Sequence, residues 1–223
     1  LKRYGKKPIP LMKEIGFLNG RVLGAHCICV DDKDIKILRE TRTSIAHCPV
    51  ANLKAGSDTS PLSKLLDAGL NVGVGTDNVA NNNSYDMLKE IRIASLIHKH
   101  LTKSPQTLPP HQAIELATSR AAKAIHAGHL IGSLEKGKKA DIIIIDMSRP
   151  HFIPLHNIPA HLVFSASGAD VETVIIDGKI VMQNRKVLTM NPEKIMRNAQ
   201  DTFNKLMEKA GRKPELTGIP KPT

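Results

Sequence analysis

Tryptophan is absent from this 223-residue chain, and aromatic residues make up only 3% of it. A surface that stacks successive nucleobases needs aromatic faces, so this composition argues against a nucleic-acid partner. Cysteine is scarce too: Cys27, Cys29 and Cys48 are the only three. A small odd number on neighbouring apolar segments is no disulfide framework and fits a reducing, cytoplasmic setting. No apolar run approaches the ~20 residues that a membrane-spanning helix needs, so no membrane partner is expected.

Positive charge is in excess, with 32 Lys and Arg against 21 Asp and Glu, a formal net charge of +11. Much of it collects at the ends, at Lys2, Arg3, Lys6 and Lys7 and again from Lys194 to Lys213. The second basic stretch predicts a helix that starts at Asn191-Pro192 and stops at Gly211. Ile195, Ala199, Phe203 and Leu206 form its apolar stripe, and the lysines form a solvated face. With 41% apolar residues, the chain has enough to build a core.

Three apolar segments that end in polar groups carry the organisation. Asn71 to Asp77 is an apolar run that stops at an acid, followed by the small polar loop Asn78 to Asn83. Arg21 to Val30 holds His26, and Thr43 to Pro49 holds His47 before a proline that cannot continue a central ladder. Between these two, Asp31 to Glu40 predicts a helix capped by Asp31 or Asp32, with Ile35, Ile37 and Leu38 as its apolar positions. Pro61 to Gly69 predicts another, with Leu62, Leu65 and Leu66 on one face and Gly69 as its stop.

Strand, helix, strand, helix, strand is βαβ grammar and implies parallel strands. Such strands deliver His26, His47 and Asp77 to one end of a sheet, the end where α/β barrels carry their chemistry. Alone, Asp77 reads equally as a helix cap or an Asx-turn residue. Three polar residues at equivalent strand ends point instead to a site, where a carboxylate binds a metal ion and moves a proton. A zinc cluster of the cysteines with His26 and His47 is disfavoured. Alternation along a strand turns Cys27 and Cys29 away from His26, to pack as small hydrophobes.

Further along, Ser84 to Leu101 predicts a helix capped by Ser84, with Met87, Leu88, Ile91, Ala94 and Leu96 inward. Thr107 to Ala127, opening on Pro109-Pro110, predicts a second. His98 and His100, at i and i+2, share no helix face. Ile142 to Asp146 reads as a strand, and Val171 to Ile176 pairs with Lys179 to Met182 across the turn Asp177-Gly178. His151, His156 and His161 lie in a proline-rich crossing and read as surface or packing histidines.

The ordered set Ala25-His26-Cys27, Ala46-His47-Cys48-Pro49 with Asn52-Leu53-Lys54, Gly75-Thr76-Asp77 and Gly132 to Asp141 (GSLEKGKKAD) resembles the metal-dependent amidohydrolases. Within them it is most similar to the 5-methylthioadenosine/S-adenosylhomocysteine deaminases and their chlorohydrolase relatives. The resemblance runs from about Tyr4 to the C-terminal helix. It implies an α/β fold. Residues 1–127 would be the C-terminal part of a TIM (β/α)8 barrel, 128–190 part of a small β-sandwich domain, and 191–223 a C-terminal helix and tail.

The resemblance also implies roles. Asp77 would be the last ligand of one Zn2+ per complete subunit and the proton shuttle. His26 would hydrogen-bond the attacking hydroxide and the tetrahedral centre without binding metal. His47 would be a pocket wall or a structural hydrogen bonder, and Asn52 and Asn81 would lie beside the substrate. Two residues depart from the family pattern. Asn78 replaces a glycine but tolerates φ > 0 better than most residues, and Ala51 stands where the family usually has serine, which puts one loop hydrogen bond in question.

The implied reaction is hydrolytic deamination of an adenine-ring nucleoside by an enzyme that is a homo-oligomer when full length. Another heteroaryl substrate, such as a chlorotriazine or guanine, and a non-catalytic homologue remain open. The family's first-strand His-x-His and fifth-strand His-x-x-Glu have no counterpart on a strand here. A whole barrel takes ~250 residues and zinc wants about four ligands. The expectation is therefore the C-terminal portion of a longer enzyme, catalytically incomplete by itself.

Overall fold

A computed structural model describes residues 4–211; Lys2, Arg3 and Lys213 of the basic ends lie outside the described residues. After helix α1 (Pro8–Glu14), the chain alternates β1 (Leu23–Ala25), α2 (Asp32–Glu40), β2 (Ser44–His47), α3 (Pro49–Lys54), α4 (Leu62–Asp67) and β3 (Val72–Val74). The three strands form a parallel sheet in the order β1-β2-β3. Ala46 stands opposite Ala25 on one side and Gly73 on the other. The structure is thus mixed α/β, and its parallel sheet fits part of a barrel.

Local chemistry explains each boundary. Asp31 caps α2 in a reciprocal box, its side chain accepting from the Asp34 amide while Asp34 accepts from Asp31 N–H. Ile35 and Leu38 go inward, as their spacing predicts. Pro49 ends β2 and opens α3, where a missing N–H costs nothing. Leu62 and Leu65 of α4 are buried, and Gly69 stops the helix at φ 77°.

The predicted strand from Arg21 to Val30 is reduced to three residues. His26 and Cys27 both adopt positive φ, 63° and 47°, so the chain turns out of the sheet at once. Alternation therefore no longer governs the cysteines. Cys27 turns back towards the Gly24 carbonyl, its sulfur 3.8 Å away, and packs partly buried on the core. Cys29 is exposed, against the packing expected of it.

Helix α5 (Val79–Asn82) precedes the long α6 (Met87–Thr102). Asp86, not Ser84, caps α6; it accepts from the Leu88 and Lys89 amides and also from Gly168 N at 2.9 Å. The Ser84 hydroxyl accepts from Asp86 N. The inward face of α6 is partly polar: Glu90, Ile91, Ala94, Ser95 and His98 are buried, whereas Leu96 is 48% exposed. The single helix predicted from Thr107 to Ala127 is two, α7 (Pro110–Ala117) and α8 (Ser119–Ala124), broken at Thr118. Helix α8 lies on β3 so tightly that a Cβ at Gly73 would stand 2.8 Å from Ala121 Cα. That contact is closed to any side chain.

A second sheet, antiparallel, has the order β4 (Ile142–Ile145), β5 (Val171–Ile176), β6 (Lys179–Gln183) and β7 (Lys186–Val187). Asp177 and Gly178, both at positive φ, make the predicted turn. Helix α9 (Ile158–Phe164) sends Val163 into the core. His151 lies 3.3 Å from the buried Asp170, and His156 and His161 meet edge to face, which are packing roles as expected. Helix α10 (Pro192–Lys209) is capped by Asn191, but none of its residues is buried and its stripe of Ile195, Phe203 and Leu206 is exposed.

Below the sheet end, His98 of α6 meets His47 of β2, their Nε2 atoms 3.1 Å apart. Both rings are almost fully buried. Burial pushes both imidazoles down, His47 to about 3 with help from the neighbouring His98 and His26, and His98 to about 4. An unfolded chain protonates these groups near 6.5. Stability is therefore complete above about pH 6.5 and falls as the pH drops towards 4, where only the unfolded chain takes the protons. His98→Gln removes one of the two groups and keeps a polar contact. Denaturant midpoints measured from pH 7 to 4.5 are expected to fall less steeply for that variant; identical slopes would contradict the assignment.

Candidate active site

The parallel ladder continues past its strands and carries the loops with it. His26 N donates to Ala46 O at 2.9 Å, and Gly75 N donates to His47 O at 2.9 Å. Three loops consequently emerge at one end of the sheet. The first turns through His26, the second enters α3 with Asn52, and the third passes Asp77 into α5.

Asp77 takes the left-handed conformation itself, φ 59°. The positive φ expected at Asn78 is not there: Asn78 is extended at φ −80° and caps α5, its side chain accepting from Asn81 N at 3.0 Å. Capping thus falls to Asn78 and leaves the Asp77 carboxylate free to face inward. One of its oxygens accepts from Asn78 N at 2.7 Å, and the other accepts from Asn81 Nδ2 at 2.8 Å. His26 Nε2 stands 3.6 Å from that second oxygen. The Asn81 amide, then the Asn78 N–H and the nearby imidazole hold Asp77 below the usual carboxylate range, so it is ionised at neutral pH.

His26 is oriented from its other side. Its Nδ1 lies 2.7 Å from Asn52 Oδ1, and an amide oxygen only accepts, so Nδ1 carries a proton. Nε2 is left facing the site, an acceptor in the neutral ring and a donor in the imidazolium. Asn52 is itself buried, and its Nδ2 has no partner among the described residues.

His26, Asn52, Asp77 and Asn81 line one cavity of about 490 Å3, with Ile28, Ala51, Lys54 and Ala80 as further wall. That size suits a small organic ligand. His47 is not among its lining residues: it is fully buried beneath the cavity and paired with His98, as a structural hydrogen bonder. Cys48 is no nucleophile. Burial first, then the charges of Asp77 and Glu90, push its thiol up to about 11.

Sequence reasoning missed Asn82, Glu90 and His98, which form the polar floor under these loops. The available signal was Glu90 and His98 falling in register with Ala94 on the inward face of α6, at intervals of four.

Among the described residues, no group of three or more His, Cys, Asp or Glu is arranged to hold a metal ion. Asp77 supplies one carboxylate, with both oxygens already hydrogen-bonded. These residues alone therefore do not make the four-ligand centre that zinc requires.

Residues 2–181 match the Amidohydrolase family. The chain is 44% identical over 209 residues to a 5'-deoxyadenosine deaminase of Methanosarcina acetivorans, covering 94% of this chain and 48% of that protein. It is 46% identical over 206 residues to a 5-methylthioadenosine/S-adenosylhomocysteine deaminase of Pelotomaculum thermopropionicum, covering 92% and 47%. The crystal structure of an adenosine deaminase from Xanthomonas campestris with bound zinc superposes with a TM-score of 0.90 at 30% identity, over 93% of this chain and 47% of that one. Atrazine chlorohydrolase from Arthrobacter aurescens, complexed with zinc, shares the fold with a TM-score of 0.83 at 24% identity, over 89% and 44%. The chain spans about half the length of the curated relatives it matches. With one sheet end gathering an ionised aspartate, a histidine and two asparagines, and with a family match over most of its length, this chain belongs to the amidohydrolase family.

Proposed function

We propose that this chain contributes half of a hydrolase that deaminates the adenine ring of small nucleosides of the 5'-deoxyadenosine, methylthioadenosine or S-adenosylhomocysteine type. The observation that carries the reading is the convergence of Asp77, His26, Asn52 and Asn81 on one cavity, in a chain over 40% identical to deaminases along more than nine-tenths of its length. In this reading residues 1–127 are part of the barrel, and the antiparallel strands belong to a small β-sandwich completed elsewhere. Asp77 is the one ligand this chain lends to a zinc site.

In the reaction, a water oxygen bonds to the ring carbon that bears the amine. Asp77, already ionised, takes the water's proton and returns it to the amine as the carbon–nitrogen bond breaks and ammonia leaves. The Asn81 amide and Asn78 N–H hold the carboxylate in place throughout. His26 Nε2, fixed through Nδ1 by Asn52, hydrogen-bonds the oxygen that adds. Likeness to the chlorohydrolase at 24% identity concerns the fold alone and does not favour a triazine substrate.

Asp77→Asn retains the size and suits the left-handed backbone, but removes the base. In the full-length protein, turnover of 5'-deoxyadenosine, methylthioadenosine and S-adenosylhomocysteine is expected to fall by about a thousandfold or more, as proton transfer and metal binding fail together. A variant that keeps a tenth of wild-type turnover would place the chemistry elsewhere. The 223-residue chain by itself is expected to bind zinc weakly and to show no deaminase activity; tight stoichiometric zinc on it would show that the donor set is complete without other residues.

His26→Asn separates a hydrogen bonder from a ligand. Turnover is expected to drop by roughly a hundredfold, the scale for losing one transition-state contact, while metal content stays near normal. Joint loss of metal and turnover would make His26 a ligand. Unchanged turnover with a lowered melting temperature would reduce it to a packing residue.

A further inference from the structure

Glu90 is a carboxylate with no exposed surface, and its side-chain oxygens meet amide donors. Burial pushes its carboxyl up, so the fold accepts a cost to keep it there. It serves neither as a helix cap for α6, a role held by Asp86, nor as a wall of the cavity. Its partners explain its place. One oxygen accepts from Val50 N at 3.4 Å, and the other accepts from Asn82 Nδ2.

These donors belong to the two segments that shape the site. Val50 lies in the first turn of α3, which has no capping side chain of its own, so a carboxylate from another helix satisfies one of its free N–H groups. Helix α3 carries Asn52, which orients His26. Asn82 is the buried member of the four-residue α5, and its Nδ2 also donates to Thr76 O at 2.6 Å, next to Asp77. Helix α5 carries Asn81, which holds Asp77. On the outer side, Lys54 of α3 donates to Ala80 O at 3.3 Å and to Asn83 Oδ1, so the same two segments are clasped again at the surface.

We propose that Glu90 is a positioning residue for this site: from beneath, one carboxylate fixes α3 and α5 relative to each other, and so sets His26 against Asp77. Its catalytic consequence rests on the deaminase reading above; the mechanical claim does not. Glu90→Gln turns one acceptor into a donor that faces a donor, and releases one of the two segments without emptying the space.

Residue-resolved amide hydrogen exchange on the 223-residue chain tests the mechanical claim without any activity. In Glu90→Gln, exchange over residues 49–55, 79–83 or both is expected to quicken tenfold or more, while β1, β2 and β3 change less than twofold. In Asn82→Ala, which leaves Glu90 and Val50 intact, only 79–83 should quicken; this second variant decides the matter if the first does not fold. Unchanged exchange in these segments, or uniform quickening that includes the strands, would overturn the proposal. In the full-length protein, both variants should lower kcat about tenfold or more with KM within threefold. Full turnover per folded molecule, alongside quickened exchange, would leave Glu90 a local clamp and overturn its role in catalysis. If wild type deaminates none of the nucleosides, the deaminase reading fails while the exchange result still decides the clamp.

Discussion

The backbone ladder between three very short strands is what everything else hangs from. Each strand has only three or four residues, yet the parallel register sends every following loop out at the same end. The two hydrogen bonds that extend the ladder, from His26 N and from Gly75 N, keep the first residues of the loops in the register of the strands. Without that register, His26 and Asp77 would have no reason to meet. They are 51 positions apart in the chain and share no helix or hairpin.

Side chains then correct what the ladder leaves loose. The loops are short and irregular, and α3 and α5 are too short to be stable helices alone. Hydrogen bonds from asparagine therefore do much of the placing. Asn52 orients a histidine, Asn78 caps a helix, Asn81 holds a carboxylate and Asn82 reaches the floor. Asparagine carries both a donor and an acceptor without a charge, so it joins groups of either kind in a partly buried setting at little electrostatic cost. The run Asn81-Asn82-Asn83 is three separate instruments: one side chain faces the cavity, one goes inward and one meets Lys54.

Much of this was legible beforehand, and the exceptions share a cause. Helices α2, α4 and α10 followed from caps, spacing and stop residues, because those signals are local. The Asp177-Gly178 turn and its flanking strands were equally plain. The length of β1 was not, since two non-glycine residues at positive φ end it and no residue type announces that. Leu96 looked inward by its chemistry, yet the face of α6 that packs is set by tertiary contact, and it includes Glu90 and His98. His26, Asn52, Asp77 and Asn81, which strand order and family likeness single out, line one cavity. His47 was placed at the right strand end, but its orientation towards His98 depends on a helix 40 residues further along. Buried polar residues resemble errors in an apolar pattern, and the spacing of four that Glu90 and His98 share with Ala94 marks them as members of the inward face.

The backbone of Asp77 narrows what can stand at that position. Its φ of 59° belongs to a region that asparagine, aspartate and glycine enter at low cost and that other residues with a Cβ resist. Glycine has no side chain, and asparagine has no basic oxygen. Glutamate keeps the charge but must strain the turn, and its extra methylene carries the carboxylate past Asn81 and His26. If the proposed proton transfer holds, conformation and chemistry each favour a few residues, and aspartate meets both. On that reading the turn and the carboxylate constrain residue 77 together, so a change that relieves one is penalised by the other.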